Sequence, residues 1–294
     1  SFPTRRSSDL NVCSLANIDY LKYAKKYGIK RRIIHSHNSQ NMDSFVRGIL
    51  HRLNKLVLIK YATDFWSCSE KSSEWFYFKK IINSDKYLLV NNAIDCDKFK
   101  YSENTRKKYR DEFCLQDKFI IGNVGRLHFQ KNQDFAIDVF NEYLKQDPNS
   151  ILMLVGDGED KEKLEKKVSE LNIIDKVMFM GVRDDVNNLY QAMDLFLFPS
   201  LFEGLSLSLL ESQASGIDCL VSDTVSSESF FSDNLTSLSL SDSIDSWIKK
   251  IGEFKVNKSN RKKCSNMICK KISDAGYSIE FEAKKMQEKF LKEV

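Results

Sequence analysis

From residue 12 onward, short runs of apolar residues alternate with longer stretches whose apolar positions recur every three or four residues. The short runs read as buried strands and the longer spacing as amphipathic helix. Residues 18–27 have the helical spacing and Gly28 stops them, after which 32–36 read as a buried strand. A long helical stretch over 42–61 follows, then a strand at 65–69, a helix at 70–78 and a strand at 86–90. Residues 91–118 carry no strand pattern and read as the connection between two domains. The alternation then restarts, with strands at 119–124, 151–155, 177–180, 195–198 and 219–222 and helices at 134–145 and 161–171. Strands separated in this way by helices or helical turns predict parallel sheets with crossover connections, a doubly wound α/β fold. The tail from residue 242 is helical and polar. In open sheets of this kind ligands sit beyond the carboxyl ends of the strands, so chemistry is expected just after each run.

Composition narrows the classes. Hydrophobic content of 42% and charged content of 29% are those of an ordinary globular protein. A formal net charge of +4 is too small to argue for nucleic acid, and suits weak association with an acidic membrane face. The seven cysteines form no C-x-x-C pair, and the one C-x4-C has no histidines beside it. They read as scattered buried thiols in a reducing cytosol, with neither a disulfide frame nor a metal site. No apolar run approaches the roughly 20 residues of a membrane-spanning helix. Residues 1–10, SFPTRRSSDL, have no hydrophobic period and match the translation of a widely used sequencing adapter. They are read as an artefact and set aside from the fold.

Four clusters follow strands. After 119–124 comes Gly125-Arg126-Leu127-His128-Phe129-Gln130-Lys131, with two cations five residues apart ahead of a helix. An arginine fork and a lysine point charge near a helix N-terminus suit a diphosphate, although two basic loop residues are more often simply solvated. After 151–155 comes Gly156-Asp157-Gly158, a tight turn that admits close backbone approach to a ligand or merely links strand to helix. Met180-Gly181-Val182-Arg183 has backbone groups able to pair with a flat base edge, and by itself reads as a turn. The fourth cluster, Pro199-Ser200-Leu201-Phe202-Glu203-Gly204-Leu205-Ser206-Leu207, leads into a helix bearing Glu211. Two carboxylates eight apart, one in a glycine-containing loop and one on the next helix, suit a sugar hydroxyl array with loop amides facing an anion.

In that order, HSHNS at 35–39, CSE at 68–70, NNAID at 91–95, GRLHFQKN at 125–132, GDGED at 156–160, FMG at 179–181 and Glu-x7-Glu at 203–211 resemble the glycosyltransferase family 4 group of the GT-B fold, particularly bacterial capsule and exopolysaccharide enzymes. The resemblance implies two Rossmann-like doubly wound domains facing a cleft. It implies a partial acceptor-side domain over 11–100, a nucleotide-sugar-binding domain over 101–275, and a C-terminal helix over 276–294 packing back toward the first. The implied activity is retaining, metal-independent transfer from a nucleotide sugar, with a UDP-sugar as default donor and no cofactor. The acceptor is a glycan or a lipid-linked glycan, and the setting is the cytoplasm, with peripheral contact at the inner face of the plasma membrane. By residue, Arg126 and Lys131 hold the diphosphate beside Gly125 and Gly156, and Glu211 holds the ribose. Glu203, with Gly204, Leu205, Ser206 and Leu207, holds the transferred sugar, and the Val182–Arg183 backbone flanks the base. His37, at the end of a strand of the first domain, matches the histidine near the reacting centre, with His35 the alternative because the HSH repeat leaves the alignment open by two residues.

Three departures stand out. Ser206 and Asp218 replace residues that are usually proline or glycine, and proline, in that group. The strand and glycine-rich loop that open such proteins have no counterpart before residue 11, so the first domain is expected to be incomplete and to expose apolar sheet edges. Two other readings are a GT-B sugar-nucleotide epimerase, which lacks the Gly-Arg-x4-Lys plus Glu-x7-Glu combination, and an inactive nucleotide-sugar-binding fragment.

Overall fold

The computed structural model describes residues 7–37, 45–257 and 259–291, which fall into two compact units, one to Asn92 with the chain from Glu282 onward, the other Ala93–Phe281. In the first unit, β1 (Ser7–Val12), α1 (Asp19–Lys26), β2 (Arg31–Ser36), α2 (Phe45–Val57), β3 (Asp64–Ser67), α3 (Glu70–Phe76), α4 (Lys79–Ile82) and β4 (Tyr87–Leu89) follow one another. The four strands pair in parallel in their chain order.

Residues 7–10, set aside on sequence grounds, are therefore part of the sheet. Ser7 to Val12 pair with Arg31 to Ser36, and Leu10 and Val12 pack on the core built from Ile34, Phe65 and Phe76. An edge strand draws its ladder from the backbone and needs an apolar side chain only at every second position. Two such residues left too weak a period to read. Residues 1–6 lie outside the described chain, as do Asn38 and Ser39 of the HSHNS motif and residues 42–44 of the expected helix.

The second unit begins with α5 (Cys96–Phe99) and α6 (Glu103–Glu112). It continues as β5 (Phe119–Val124), α7 (Gln133–Leu144), β6 (Ser150–Val155), α8 (Lys161–Glu170), β7 (Val177–Phe179), α9 (Val186–Ala192), β8 (Leu195–Phe198) and α10 (Leu207–Ala214). Then come β9 (Asp218–Ser222), β10 (Leu235–Leu238), α11 (Ile244–Val256) and α12 (Arg261–Asp274). All pairings are parallel, in the order β10-β9-β8-β5-β6-β7. Strand order reverses between β5 and β8, so a switch point opens there. Side chains alternate strictly between two cores. Ile120, Met153, Phe196 and Val221 enter one, while Ile121, Leu152, Leu195 and Leu220 enter the other. Burial on both faces is why these strands read as unbroken apolar runs.

The segment expected to be a plain connection, 91–118, instead holds two helices, and the boundary falls before Ala93 rather than near residue 100. Helix α6 is too polar to show a period. It is held by charge, because Arg106 and Arg110 reach the two oxygens of Asp194 at 2.5 and 3.0 Å and also bond the carbonyl of Ala192. Ser102 caps it through Thr105 N. The last helix, α13 (Ile279–Leu291), closes the first unit. Met286 and Phe290 pack on Ile33, Trp66 and Val90, and Arg31 donates to the carbonyls of Lys289 and Phe290 at 3.2 Å.

Candidate functional site

Because β5 and β8 are neighbours across the switch point, the loops that leave their carboxyl ends meet although some seventy residues separate them. The meeting is specific. Leu201 N donates to the carbonyl of Gln130 at 2.8 Å, and the Gln130 amide donates to the carbonyl of Phe202 at 3.0 Å and to Glu203 Oε1 at 3.2 Å. Lys131 Nζ stands 2.7 Å from the same Glu203 oxygen and 4.9 Å from the centre of the Phe198 ring. Lys131 and Glu203 are both largely buried, so the pair attracts through a medium that screens less than water.

A polar scaffold beneath the loops fixes them. Asn123, a lone amide in an otherwise apolar strand, donates to the carbonyl of Leu197 at 2.8 Å. Gln133, opening α7, donates to Asn123 and to the carbonyl of Arg126 at 3.1 Å. On the other side Ser229 holds the glutamate loop, accepting from Ser206 N and donating to the carbonyl of Gly204. Glu203 itself bridges Val225 in a short parallel contact. Ser206 takes the cap position of α10 without a side-chain cap hydrogen bond, so the first-turn amides of that helix keep their partial positive charge.

Glu211 lies one turn into α10, where Oε2 accepts from the Tyr190 hydroxyl at 3.1 Å. Burial pushes its carboxyl up to about 7, against the hydrogen bond from Tyr190 and the charge of Lys98. Arg126 is exposed and pairs with Glu159 at 3.0 Å. The Gly156–Gly158 turn packs backbone against backbone on the arginine loop, where Gly156 has φ +136° and a Cβ there would lie 2.0 Å from the Gly125 carbonyl oxygen. The close approach expected of this turn is thus made to its neighbour loop. Val182 is exposed at the end of β7. Arg183 forks onto Asp185 at 2.8 and 2.7 Å, and this pairing holds the Asp185 carboxyl down to about 2.

Gly125, Arg126, Lys131, Gly156, Val182, Arg183, Glu203 to Leu207 and Glu211 therefore all stand at the carboxyl ends of β5 to β8 or on the helix that follows. The two histidines belong to the first unit, on β2 and directly after it. His35 is buried against Trp66, which, with the neighbouring His37, lowers its pKa to about 4. His37 Nε2 lies 2.8 Å from Asn11 Oδ1 of β1, and burial lowers its pKa too. Gln130, Tyr190, Ser229 and Asn11 were not singled out from sequence. Gln130 was flagged only by adjacency to Lys131, and the others depend on which elements the fold brings side by side.

Two parallel Rossmann-like units, with charged loops gathered at the switch point of the second, define the GT-B type of glycosyltransferase fold. The chain belongs to the glycosyl transferases group 1 family, whose profile matches residues 105–271. It is 29% identical over 234 residues to the putative glycosyltransferase EpsF of Bacillus subtilis, covering 78% of this chain and 60% of that protein. It is 31% identical over 141 residues to the UDP-Gal:alpha-D-GlcNAc-diphosphoundecaprenol alpha-1,3-galactosyltransferase of Escherichia coli, covering 47% of this chain and 36% of that one. The crystal structure of Anabaena HepE with UDP and glucose shares the fold at a TM-score of 0.74 and 16% identity, over 94% of this chain and 74% of that one. The chain thus spans less than two thirds of the length of these two relatives.

Proposed function

We propose that this chain supplies the nucleotide-sugar site of a retaining, metal-independent glycosyltransferase that moves a sugar from a UDP-sugar to a glycan or lipid-linked acceptor in cell-surface polysaccharide synthesis, at the cytoplasmic face of the membrane. The observation that carries it is the Lys131–Glu203 pair at the switch point, beside the uncapped start of α10. A diphosphate entering there meets Lys131, Arg126 and the α10 amides, an arrangement of fixed donors suited to charge that grows on a leaving phosphate. Glu203, released in part from Lys131, is a fixed acceptor for sugar hydroxyls. Glu211 takes the ribose hydroxyls, and the backbone at Val182 and Arg183 flanks the base. The relatives support the substrate class, since one is a transferase of UDP-Gal to a diphosphoundecaprenol-linked sugar and the structure of another holds UDP and glucose.

On this reading the acceptor oxygen attacks the anomeric carbon from the face the diphosphate leaves. The carbon–oxygen bond to the β-phosphate breaks as the new one forms, and the acceptor proton passes to the departing phosphate oxygen. Neither glutamate acts as the acid of a hydrolase pair. Fixed cations take the part that a divalent ion plays elsewhere. Calorimetric titration of UDP and a UDP-sugar panel into the chain tests the proposal, in EDTA and then with magnesium. Binding in EDTA that Lys131→Ala removes is the expected result. Absence of nucleotide binding, or binding only with magnesium, refutes the proposal.

A further inference from the structure

The cysteines expected to be scattered and buried are not all either. Cys13 and Cys114 are exposed, and the fold brings two others together from positions 173 apart. Cys96 opens α5 and Cys269 lies within α12. Each sulfur rests against the other residue's carbonyl, Cys96 Sγ 3.8 Å from the Cys269 oxygen and Cys269 Sγ 3.7 Å from the Cys96 oxygen. Side chains that cross in this way set their sulfurs side by side, and the Cys269 thiol donates to the Cys96 sulfur. Cys264, earlier on the same helix, turns instead to Asn234 at 3.4 Å, and Cys219 faces Ser212 Oγ at 3.5 Å. The two paired sulfurs are unequal. Cys96 is half-buried and lines a cavity of about 400 Å³ with Lys100 and Ser273, whereas Cys269 is buried. The hydrogen bond from Cys269 holds the Cys96 thiol below its usual value against the cost of burial, helped by Ser273 and Lys100 and opposed by Asp97. The same bond, with burial, pushes the Cys269 thiol up. One sulfur is open and nucleophilic, and the other stands behind it. The transfer reading uses neither.

We infer that Cys96 and Cys269 form a peroxide-reactive dithiol, with Cys96 the attacking sulfur and Cys269 the resolving one. The Cys96 sulfur attacks the terminal oxygen of a hydroperoxide and the O–O bond breaks. Cys96 becomes a sulfenic acid, and the departing oxygen takes the thiol proton and leaves as an alcohol, or as water from hydrogen peroxide. The Cys269 sulfur then attacks the Cys96 sulfur, the S–O bond breaks, and hydroxide leaves with the Cys269 proton as water. Two thiols and one hydroperoxide thus give one disulfide, one alcohol and one water. Exchange with a small thiol returns both cysteines. The disulfide ties α5 to α12, and both of these helices pack on α10, which carries Glu211. Ala214, the last residue of α10, already offers its carbonyl to Cys269 Sγ at 3.6 Å and to Ser265 Oγ at 2.5 Å. Oxidation is thereby recorded as a covalent brace across the second unit. The inference stands apart from the transfer reading, because it is read from the thiols without any nucleotide.

Treating the reduced chain with hydrogen peroxide at neutral pH, alkylating the thiols that stay free and mapping the peptides by mass spectrometry without reductant tests it. The expected product joins the Cys96 peptide to the Cys269 peptide with the loss of two hydrogens, while Cys13 and Cys114 are still found alkylated. Dithiothreitol should restore both thiols. The oxidised chain should melt several degrees above the reduced one, since the bond closes a long loop. Cys269→Ser removes the resolving sulfur, so Cys96 should then persist as a sulfenic acid that dimedone traps, with only a trace of adduct in the parent. Three results on the parent chain overturn the inference, none of which depends on a variant folding. They are Cys96 and Cys269 both still open to alkylation after Cys13 and Cys114 are consumed, a disulfide from Cys96 to some other cysteine, and Cys96 carried on to sulfinic acid with Cys269 still free.

Discussion

Replacing Glu211 by glutamine should make the empty protein more stable, and more so as pH rises. The carboxyl is raised to about 7 from a reference of 4.5, chiefly by burial. A group whose folded pKa lies above its unfolded one holds its proton longer in the folded state. Between pH 4.5 and 7 the native chain therefore binds more protons than the unfolded chain, and stability falls as pH rises through that window. At 1.36 kcal/mol per unit, the full penalty above pH 7 is about 3 kcal/mol, or about 2 after allowing for the solvent that still reaches the group. At pH 5 the penalty is under about 1 kcal/mol by the same relation. Asp218, raised to about 6, contributes with the same sign to both proteins and cancels in the difference. Calorimetry of the parent chain and Glu211→Gln at pH 5 and pH 8 reads this directly. For a unit of this size, about 2 kcal/mol is roughly 4–8 °C in Tm, so the gain from the substitution should appear at pH 8 and nearly vanish at pH 5. A gain independent of pH, or a loss at pH 8, would show that burial does not govern this carboxyl. On the proposed reading the same substitution weakens UDP binding, so stability and affinity move in opposite directions.

Lys131→Ala and Glu203→Ala should each lower transfer by about a hundredfold or more in steady-state kinetics, the range seen when one fixed electrostatic contact to a transition state is removed. Near-parental turnover in either variant would contradict the roles given to the pair. Transfer measured after exhaustive chelation should equal transfer with magnesium added, and strict dependence on the ion would contradict the cation clamp. Gly156→Ala places a Cβ 2.0 Å from a carbonyl oxygen at φ +136° and should cost about 3 kcal/mol or more in thermal unfolding. Gly181→Ala, at φ +64° with open space around it, should cost only about 1 kcal/mol.

The strands of the second unit were legible because both of their faces are buried, which leaves apolar runs such as Leu195–Phe198 with no polar interruption. The edge strands β1 and β10 were not, although the edge strands β4 and β7 were. Leu235–Leu238 escaped notice for the same reason that Ser7–Leu10 did, since a partly exposed strand needs few apolar residues. Helix α6 was invisible because its anchors are two arginines on Asp194, a long-range pairing that no local period encodes. At the site, Arg126, Lys131, Glu203 and Glu211 could be singled out by type and spacing. The contact of Lys131 with Glu203 could not, because it follows from β5 lying beside β8. Nor could the capture of Arg183 by Asp185, which sets its side chain against an acid two residues on.

The closing of the first unit by α13 has a consequence for how the chain is made. Trp66 is covered by Phe290, with ring centres 5.1 Å apart, and Arg31 finds its carbonyl partners in the same last turns. A ribosome delivers those turns about 200 residues after Val90, a delay of roughly 10–40 s at ordinary rates of synthesis. Throughout that interval Ile33, Trp66 and Val90 lack the Met286 and Phe290 side chains that pack on them, whereas the last strand of the second unit is complete by Leu238. The usual order, in which what is translated first is finished first, is reversed here. The nascent chain is most exposed to proteases and to misassociation in its first unit, and α13 is the helix that ends that exposure.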